Sequence, residues 1–182
     1  MKRCTRNSAA IIVSISMSLF VVMCSGEGYR EPGRYYNKDM KFSIKIPEGW
    51  EVKEGDGIEV SMVELVSPWE NDEDAFSEYI GVDVEHYAEK ITLGELFDAM
   101  KQEQSQEFPY FEEHERGDVN INGEDAKYIL FDIGMEEGYN KVICYTLVKG
   151  KKGYLISCVA EASKFDEYFE IFQETASSFR LE

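Results

Sequence analysis

Residues 126–160 read AKYILFDIGMEEGYNKVICYTLVKGKKGYLISCVA, and this stretch decides the fold class. Three of its segments are rich in β-branched and aromatic residues: 126–133, 141–149 and 154–160. Glycine-containing turns separate them, a spacing typical of strands joined by hairpins. A further strand at 117–122 precedes them and ends at an Asn122-Gly123 turn. The region therefore predicts a four-stranded antiparallel meander.

Upstream of the meander, apolar and polar residues alternate in three more segments, which predicts three further extended elements. The first, FSIKIPEGWEV, begins at Phe42 and turns at Pro47 before a short extended piece. The second spans 58–66. The third spans 79–87 and places four side chains on one face: Ile80, Val82, Val84 and His86.

Two segments have helical periodicity instead. Thr92 and Glu95 form a capping-box pattern ahead of an apolar stripe, and Pro109 prevents the helix from continuing. Ser163 is the predicted N-cap of a C-terminal helix whose buried side carries Phe165, Phe169, Phe172, Ala176 and Phe179. Amphipathic helices need a sheet face to cover their stripes. We therefore predict an α+β fold in which helices flank both faces of a mainly antiparallel sheet, an α–β–α sandwich.

Several of these segments resemble the PsbP-like family: residues 42–50, 66–68, 91–96, 119–129 and 154–179. The opening element FSIKIPEGW is also similar to that of the related DcrB-like proteins. The resemblance implies an α–β–α sandwich that works as an extrinsic accessory subunit. Some relatives associate with photosystem II and help to retain calcium and chloride, and some bacterial relatives are lipoproteins. A shared fold does not transfer the photosynthetic role.

The N-terminus is typical of an exported protein. Three basic residues, Lys2, Arg3 and Arg6, precede a charge-free run at 9–23, which is shorter than the roughly 20 apolar residues of a membrane span. Cys24 follows directly and resembles the acylated cysteine of a lipobox, although Met23 is bulkier than that pattern prefers. An ordinary cleaved signal peptide and an uncleaved anchor are the alternatives.

The predicted organisation has three parts. Residues 1–23 are a signal peptide, 24–39 comprise a lipidated, palmitate-bearing cysteine and a flexible tether, and 40–182 are the PsbP-like domain. Removal of the signal changes the net charge from −17 to −20, with 16 basic and 36 acidic residues remaining. Such a surface repels phosphate backbones, which excludes nucleic acid as a partner. Membrane contact is therefore expected through acyl chains alone.

Two cysteines remain in the mature domain, Cys144 and Cys158, on the arms of the last predicted hairpin. A two- or four-residue loop centred between Lys151 and Lys152 places Cys144 opposite Val159 and directs the thiols to opposite faces. An odd loop centred on Lys151 sets the cysteines directly opposite, where a disulfide is geometrically allowed. Even loops are commoner in hairpins. The sequence thus favours two free thiols over a disulfide.

Chemical motifs are scarce. His86 and His114 belong to no metal-ligand spacing, and no nucleophile elbow or phosphate-binding glycine loop occurs in the sequence. The acidic run that contains Asp72, Glu73 and Asp74 is the only candidate calcium loop, and it lacks the spacing and glycine of an EF-hand. No cofactor is expected apart from this Ca²⁺ candidate.

We therefore predict a non-enzymatic, lipid-anchored, extracytoplasmic accessory or binding protein whose partner is an envelope protein complex. The membrane is the cell membrane or an outer membrane. Two alternatives stay open: an envelope carrier of a small ligand or a divalent cation such as Ca²⁺, and a photosystem II-associated extrinsic protein.

Overall fold

The computed structural model describes residues 31–55, 63–69, 71, 76–135 and 138–182. Within these ranges the chain forms ten strands and two helices in the following order: β1 (Arg34–Asn37), β2 (Phe42–Lys45), β3 (Glu51–Glu54), β4 (Val63–Val66), β5 (Tyr79–His86), α1 (Leu93–Glu107), β6 (Tyr110–Ile121), β7 (Glu124–Met135), β8 (Gly138–Lys149), β9 (Lys152–Glu161), α2 (Phe165–Ser177) and β10 (Arg180–Leu181).

The strands form two antiparallel sheets. One has seven strands in the order β3-β4-β5-β9-β8-β7-β6, and the other has three in the order β1-β2-β10. The predicted meander is confirmed, since β6, β7, β8 and β9 pair consecutively. The mainly antiparallel α+β class is confirmed as well. Because hairpin-linked strands are neighbours in the sheet, local turn chemistry was sufficient to predict this part of the topology.

Residues of the central strands alternate between two buried clusters. Along β8, Val142 and Cys144 belong to one cluster, which includes Phe97 and Met100 of α1. Ile143, Tyr145 and Leu147 belong to the other, which includes three residues of α2: Phe165, Phe172 and Ala176. Successive strand residues point to opposite sides of a sheet, so the strand pattern determines which cluster each side chain joins.

At two of the three hairpin turns in the meander the sequence predicts the turn position, and it is right at one and wrong at the other. Asn122 and Gly123 have φ angles of 49° and 90°, which are the left-handed values of the predicted tight turn. In the last hairpin Lys149 pairs with Lys152, so the turn is Gly150-Lys151 and lies before the predicted centre. Gly150 adopts φ 68°, whereas Gly153 is part of β9 and leaves room for Leu96 of α1. A side chain at Gly153 would collide with that leucine.

Of the two predicted helix N-caps, the one at α1 is correct and the one at α2 is not. At α1 the capping box is confirmed, because Glu95 N donates to Thr92 Oγ1 (3.2 Å) and Thr92 N donates to Glu95 Oε2 (2.9 Å). At α2 the predicted Ser163 cap is wrong. The N-cap is Lys164, and there is no side-chain cap hydrogen bond. Lys164 N donates instead to Glu161 O (2.9 Å), so a backbone turn leads from β9 directly into the helix.

The predicted tether at 24–39 is too long at its C-terminal end. Residues 34–37 form β1, in which Arg34 lies opposite Lys45 and Tyr35 opposite Ile44. The ring of Tyr35 packs against Phe42, with centroids 5.9 Å apart. Apolar residues do not alternate regularly with polar ones in this segment. It forms a strand because it pairs with β2. Strand β10 was not predicted either, and it pairs with the other edge of β2.

Candidate functional site

Two of the predicted sites, the lipidation residue and the calcium loop, belong to parts of the chain that the structure does not describe. Cys24 and the three acids Asp72, Glu73 and Asp74 lie outside the described residues. Neither of the described helices, α1 nor α2, is long and apolar enough to cross a membrane.

Neither histidine belongs to a metal-holding group among the described residues. His86 is exposed at the end of β5, with its Nε2 3.4 Å from Met40 Sδ. His114 lies on the edge strand β6 at an irregularity in the pairing, with its Nε2 2.9 Å from Asp132 Oδ2. Across the described ranges, no group of three or more His, Cys, Asp or Glu side chains is arranged to hold a metal ion.

The two cysteines are buried and free. Cys144 lies opposite Ser157, and Cys158 opposite Ile143, so the predicted pairing of Cys144 with Val159 is wrong by two residues. The thiols nevertheless point to opposite sides of the sheet, because Ser157 and Cys158 are consecutive. Burial raises the pKa of Cys144 to about 12 and raises that of Cys158 well above its usual value. Such thiols are poor nucleophiles at neutral pH.

An acidic cleft of about 220 Å³ lies between α1 and the seven-stranded sheet. We define it by four carboxylates, Asp83 and Glu85 of β5 with Glu103 and Glu107 of α1; Cys144 and Ser157 also line it. Burial, with smaller contributions from Glu64 and Glu85, raises the pKa of Asp83 to about 6. The cleft would attract cationic groups. Sequence spacing gave no sign of it, because its acids come from two elements that meet only in the folded chain.

A basic groove of about 750 Å³ lies where the three-stranded sheet meets the C-terminal end of α2. We define it by Arg34, Lys45, Trp50, Asn122 and Arg180. The Asn122 side-chain amide donates to Ser177 O (2.8 Å) and Phe179 O (2.7 Å), and so joins the β6–β7 turn to the chain after α2. Glu48 and Glu174 also line the groove, so its charge is mixed.

Arg34 is a buried residue among those that line this groove. Its Nη1 donates to Ser43 Oγ (3.3 Å) and to Ser178 O (2.9 Å), and its Nε donates to Glu31 Oε2 (3.0 Å). The contact with Ser178 O places a cation at the C-terminal end of α2, where the helix dipole favours positive charge. Ser43 Oγ in turn donates to Glu182 Oε1 (2.6 Å). The network thus ties β1, β2 and the C-terminus together.

Sequence reasoning missed the groove because its basic residues belong to segments that carry no periodic signal. Arg34 falls in the predicted tether, and Arg180 follows the last predicted helix. Lys45 is one of the polar residues that alternate with apolar ones in β2, and this pattern indicates only that its side chain faces solvent. The one available signal was Arg34 itself, a cation next to two tyrosines that proved to be in a strand.

The arrangement of the two sheets and two helices is a PsbP-like fold. No known family model matches the sequence, and no curated protein shows significant similarity to it.

Several solved structures have a fold similar to that of this chain. The solution structure of cyanobacterial PsbP (CyanoP) from Synechocystis sp. PCC 6803 superposes with a TM-score of 0.63 at 17% identity, covering 89% of this chain and 99% of that one. LpqN, involved in cell envelope biogenesis of Mycobacterium tuberculosis, superposes with a TM-score of 0.62 at 10% identity, covering 83% and 86%. The Saccharomyces cerevisiae Ran-binding protein Mog1p gives 0.54 at 15% identity, covering 81% and 94%. At these identities the similarity concerns the fold.

Proposed function

We propose that this chain is a lipid-anchored, extracytoplasmic accessory protein of the cell envelope that acts by binding and not by catalysis. One observation carries the proposal: Cys24 follows the charge-free run at 9–23 and precedes, in the sequence, a domain with a PsbP-like fold. The similarity in fold to LpqN, a protein involved in cell envelope biogenesis, supports an envelope role. An envelope protein complex is the partner that an anchored, strongly acidic domain of this kind would serve.

We also infer that the helices cover opposite faces of the seven-stranded sheet, which would make the domain an α–β–α sandwich. The alternation of β8 residues between the α1 cluster and the α2 cluster supports this inference. In such a sandwich both broad faces are occupied by helices. Binding would then use the clefts beside the helices and the sheet edges.

The anchor can be tested with cysteine variants of the full precursor. We expect wild-type protein to incorporate labelled palmitate, to lose residues 1–23 and to sediment with membranes. Cys24→Ser should abolish the label and release the protein, because the thiol is the acylation site. Cys4→Ser is the matched control and should behave as wild type. A native protein that retains its first 23 residues and carries no label would refute the anchored function.

A further inference from the structure

Three cations of the basic groove lie on one face of the three-stranded sheet, although each comes from a different strand. Arg34 of β1 lies directly opposite Lys45 of β2. Arg180 of β10 lies opposite Ser43, which is two residues before Lys45 on the same strand. Residues that face each other, and residues two apart, share a face of a sheet. The strand register therefore concentrates positive charge on this face of an otherwise acidic protein.

A carboxylate already lies between two of these cations. Glu31 Oε2 accepts a hydrogen bond from Arg34 Nε (3.0 Å) and another from Arg180 Nη1 (3.2 Å). The hydrogen bond from Arg34 lowers the pKa of Glu31, so its side chain is ionised. The Glu31 side chain is nevertheless 44% exposed, and Glu31 is the first residue that the structure describes. It marks the position and geometry that the two guanidinium groups offer to a carboxylate.

The protein does not use all the donors of Arg34. Its side chain is only 1% exposed, and its Nη2 has no hydrogen-bond partner among the described residues. Buried polar atoms without a partner are rare in folded proteins because their lost hydration is not repaid. An unsatisfied donor on a buried guanidinium, beside an open groove, points to an acceptor supplied from outside the chain.

Part of the groove wall is apolar and aromatic. Ile46, Pro47 and Trp50 line it from the β2–β3 connection, and Ile171 lines it from α2. Trp50 is held in place by edge-on contacts with Tyr168 and Phe172, at centroid distances of 6.2 and 6.4 Å. A volume of about 750 Å³ matches the pockets that proteins use for small organic molecules. The groove therefore places the two arginines that hold Glu31, Arg34 and Arg180, in the same cavity as a surface for hydrocarbon.

We propose that the basic groove binds an organic carboxylate with an apolar portion. Its anionic end takes the place of the Glu31 carboxylate between Arg34 and Arg180, and its apolar portion lies against Trp50. Glu31 then acts as an internal competitor that fills the site when ligand is absent. This inference goes beyond the anchored accessory function and does not depend on acylation at Cys24.

Tryptophan fluorescence tests the proposal directly, because the chain has two tryptophans and only Trp50 lines the groove. In Trp69→Phe, which changes a side chain that is 63% exposed, Trp50 is the sole reporter. We expect hexanoate to change its emission saturably, whereas hexanol, which has the same chain length and no charge, should bind more weakly. Equal binding of the two would overturn the recognition of a carboxylate.

Charge variants in the same background locate the site. Arg180→Gln should weaken hexanoate binding about tenfold, the scale of one charged hydrogen bond. Lys101→Gln on α1 removes the same charge away from the groove and should leave the affinity unchanged. Glu31→Gln should bind more tightly than the parent, because the internal competitor loses its charge. Equal affinities of the Arg180 and Lys101 variants, weaker binding by the Glu31 variant, or no saturable change in the parent and the Glu31 variant would each overturn the proposal.

Discussion

Single residues decide several features of this molecule, and Gly153 is the clearest example. A Cβ placed there would lie 2.9 Å from Leu96 Cδ1 and 3.2 Å from Tyr87 Cε2. Glycine lets α1 approach β9 closely, so its role is packing and not turning. The sequence contains glycines at both 150 and 153, and local turn rules alone give no reason to choose between them. In the fold Gly153 packs against α1, whereas Gly150 takes the left-handed φ of 68° in the turn.

The buried carboxyl group of Asp83 leads to a prediction about how stability depends on pH. Burial raises its pKa to about 6 from an ordinary 3.8, so the folded protein holds this proton more tightly than the unfolded chain does. The associated stability is present below about pH 4 and is lost as the pH rises through 6. Asp83→Asn should therefore flatten the pH dependence of the unfolding free energy between these values. At pH 8 it should be more stable than wild type by on the order of 1–3 kcal/mol.

Urea denaturation at a series of pH values measures this effect. Asp118→Asn is the matched control, since Asp118 is 81% exposed and paired with Lys127 at 2.6 Å. The control should keep the wild-type pH profile. If Asp83→Asn also keeps that profile, the carboxyl of Asp83 does not titrate as its burial requires.

At the scale of elements, helix α1 depends on a local start signal. The capping box of Thr92 and Glu95 satisfies amide groups that the first helical turn leaves free. Thr92→Ala should lower the unfolding free energy by about 1 kcal/mol, because one of these donors loses its acceptor. Thr92→Ser keeps the hydroxyl and should restore most of the loss.

Urea denaturation measures the stability of both variants. A shift of the midpoint at an unchanged slope of free energy against urea concentration reports a change in stability. A Thr92→Ala protein as stable as wild type would mean that the buried side chains of α1, Leu96, Phe97 and Met100, hold the helix without the cap. Helix α2 offers the contrast, since its start relies on a backbone turn from β9 and its buried aromatic side. The sequence indicated both helices, but only one of the two predicted caps was correct. A capping box can be recognised in a sequence because its two side chains are three residues apart. A helix that begins with a backbone turn after a strand, as α2 does, has no such side-chain pattern.

At the scale of the whole molecule, charge is the dominant property. A net charge of −17 causes self-repulsion that favours the expanded, unfolded chain. Salt screens this repulsion, with the Debye length falling from about 30 Å at 0.01 M to about 8 Å at 0.15 M. We therefore expect the melting temperature to rise with sodium chloride and to level off near 0.3 M.

A thermal melt series in sodium chloride measures this dependence, with sucrose as a control for preferential exclusion. Screening predicts a curve that saturates, whereas solute exclusion predicts a continuous rise. A melting temperature that falls with salt would show that the ion pairs outweigh the repulsion. Lys127–Asp118 and Lys149–Glu124 are pairs of this kind, and both are largely exposed and individually weak.

The sequence by itself determined the antiparallel meander from β6 to β9, the presence of both helices and the capping box of α1. These features depend on residues within a few positions of one another, where turn chemistry, alternation and capping act locally. Only the tertiary structure decided that residues 34–37 form a strand, that residues 180–181 form another and that the last turn is Gly150-Lys151. It also brought Arg34, Lys45 and Arg180 to one face. Such features arise when distant segments pair with each other, and a partner strand supplies hydrogen bonds that no local pattern records.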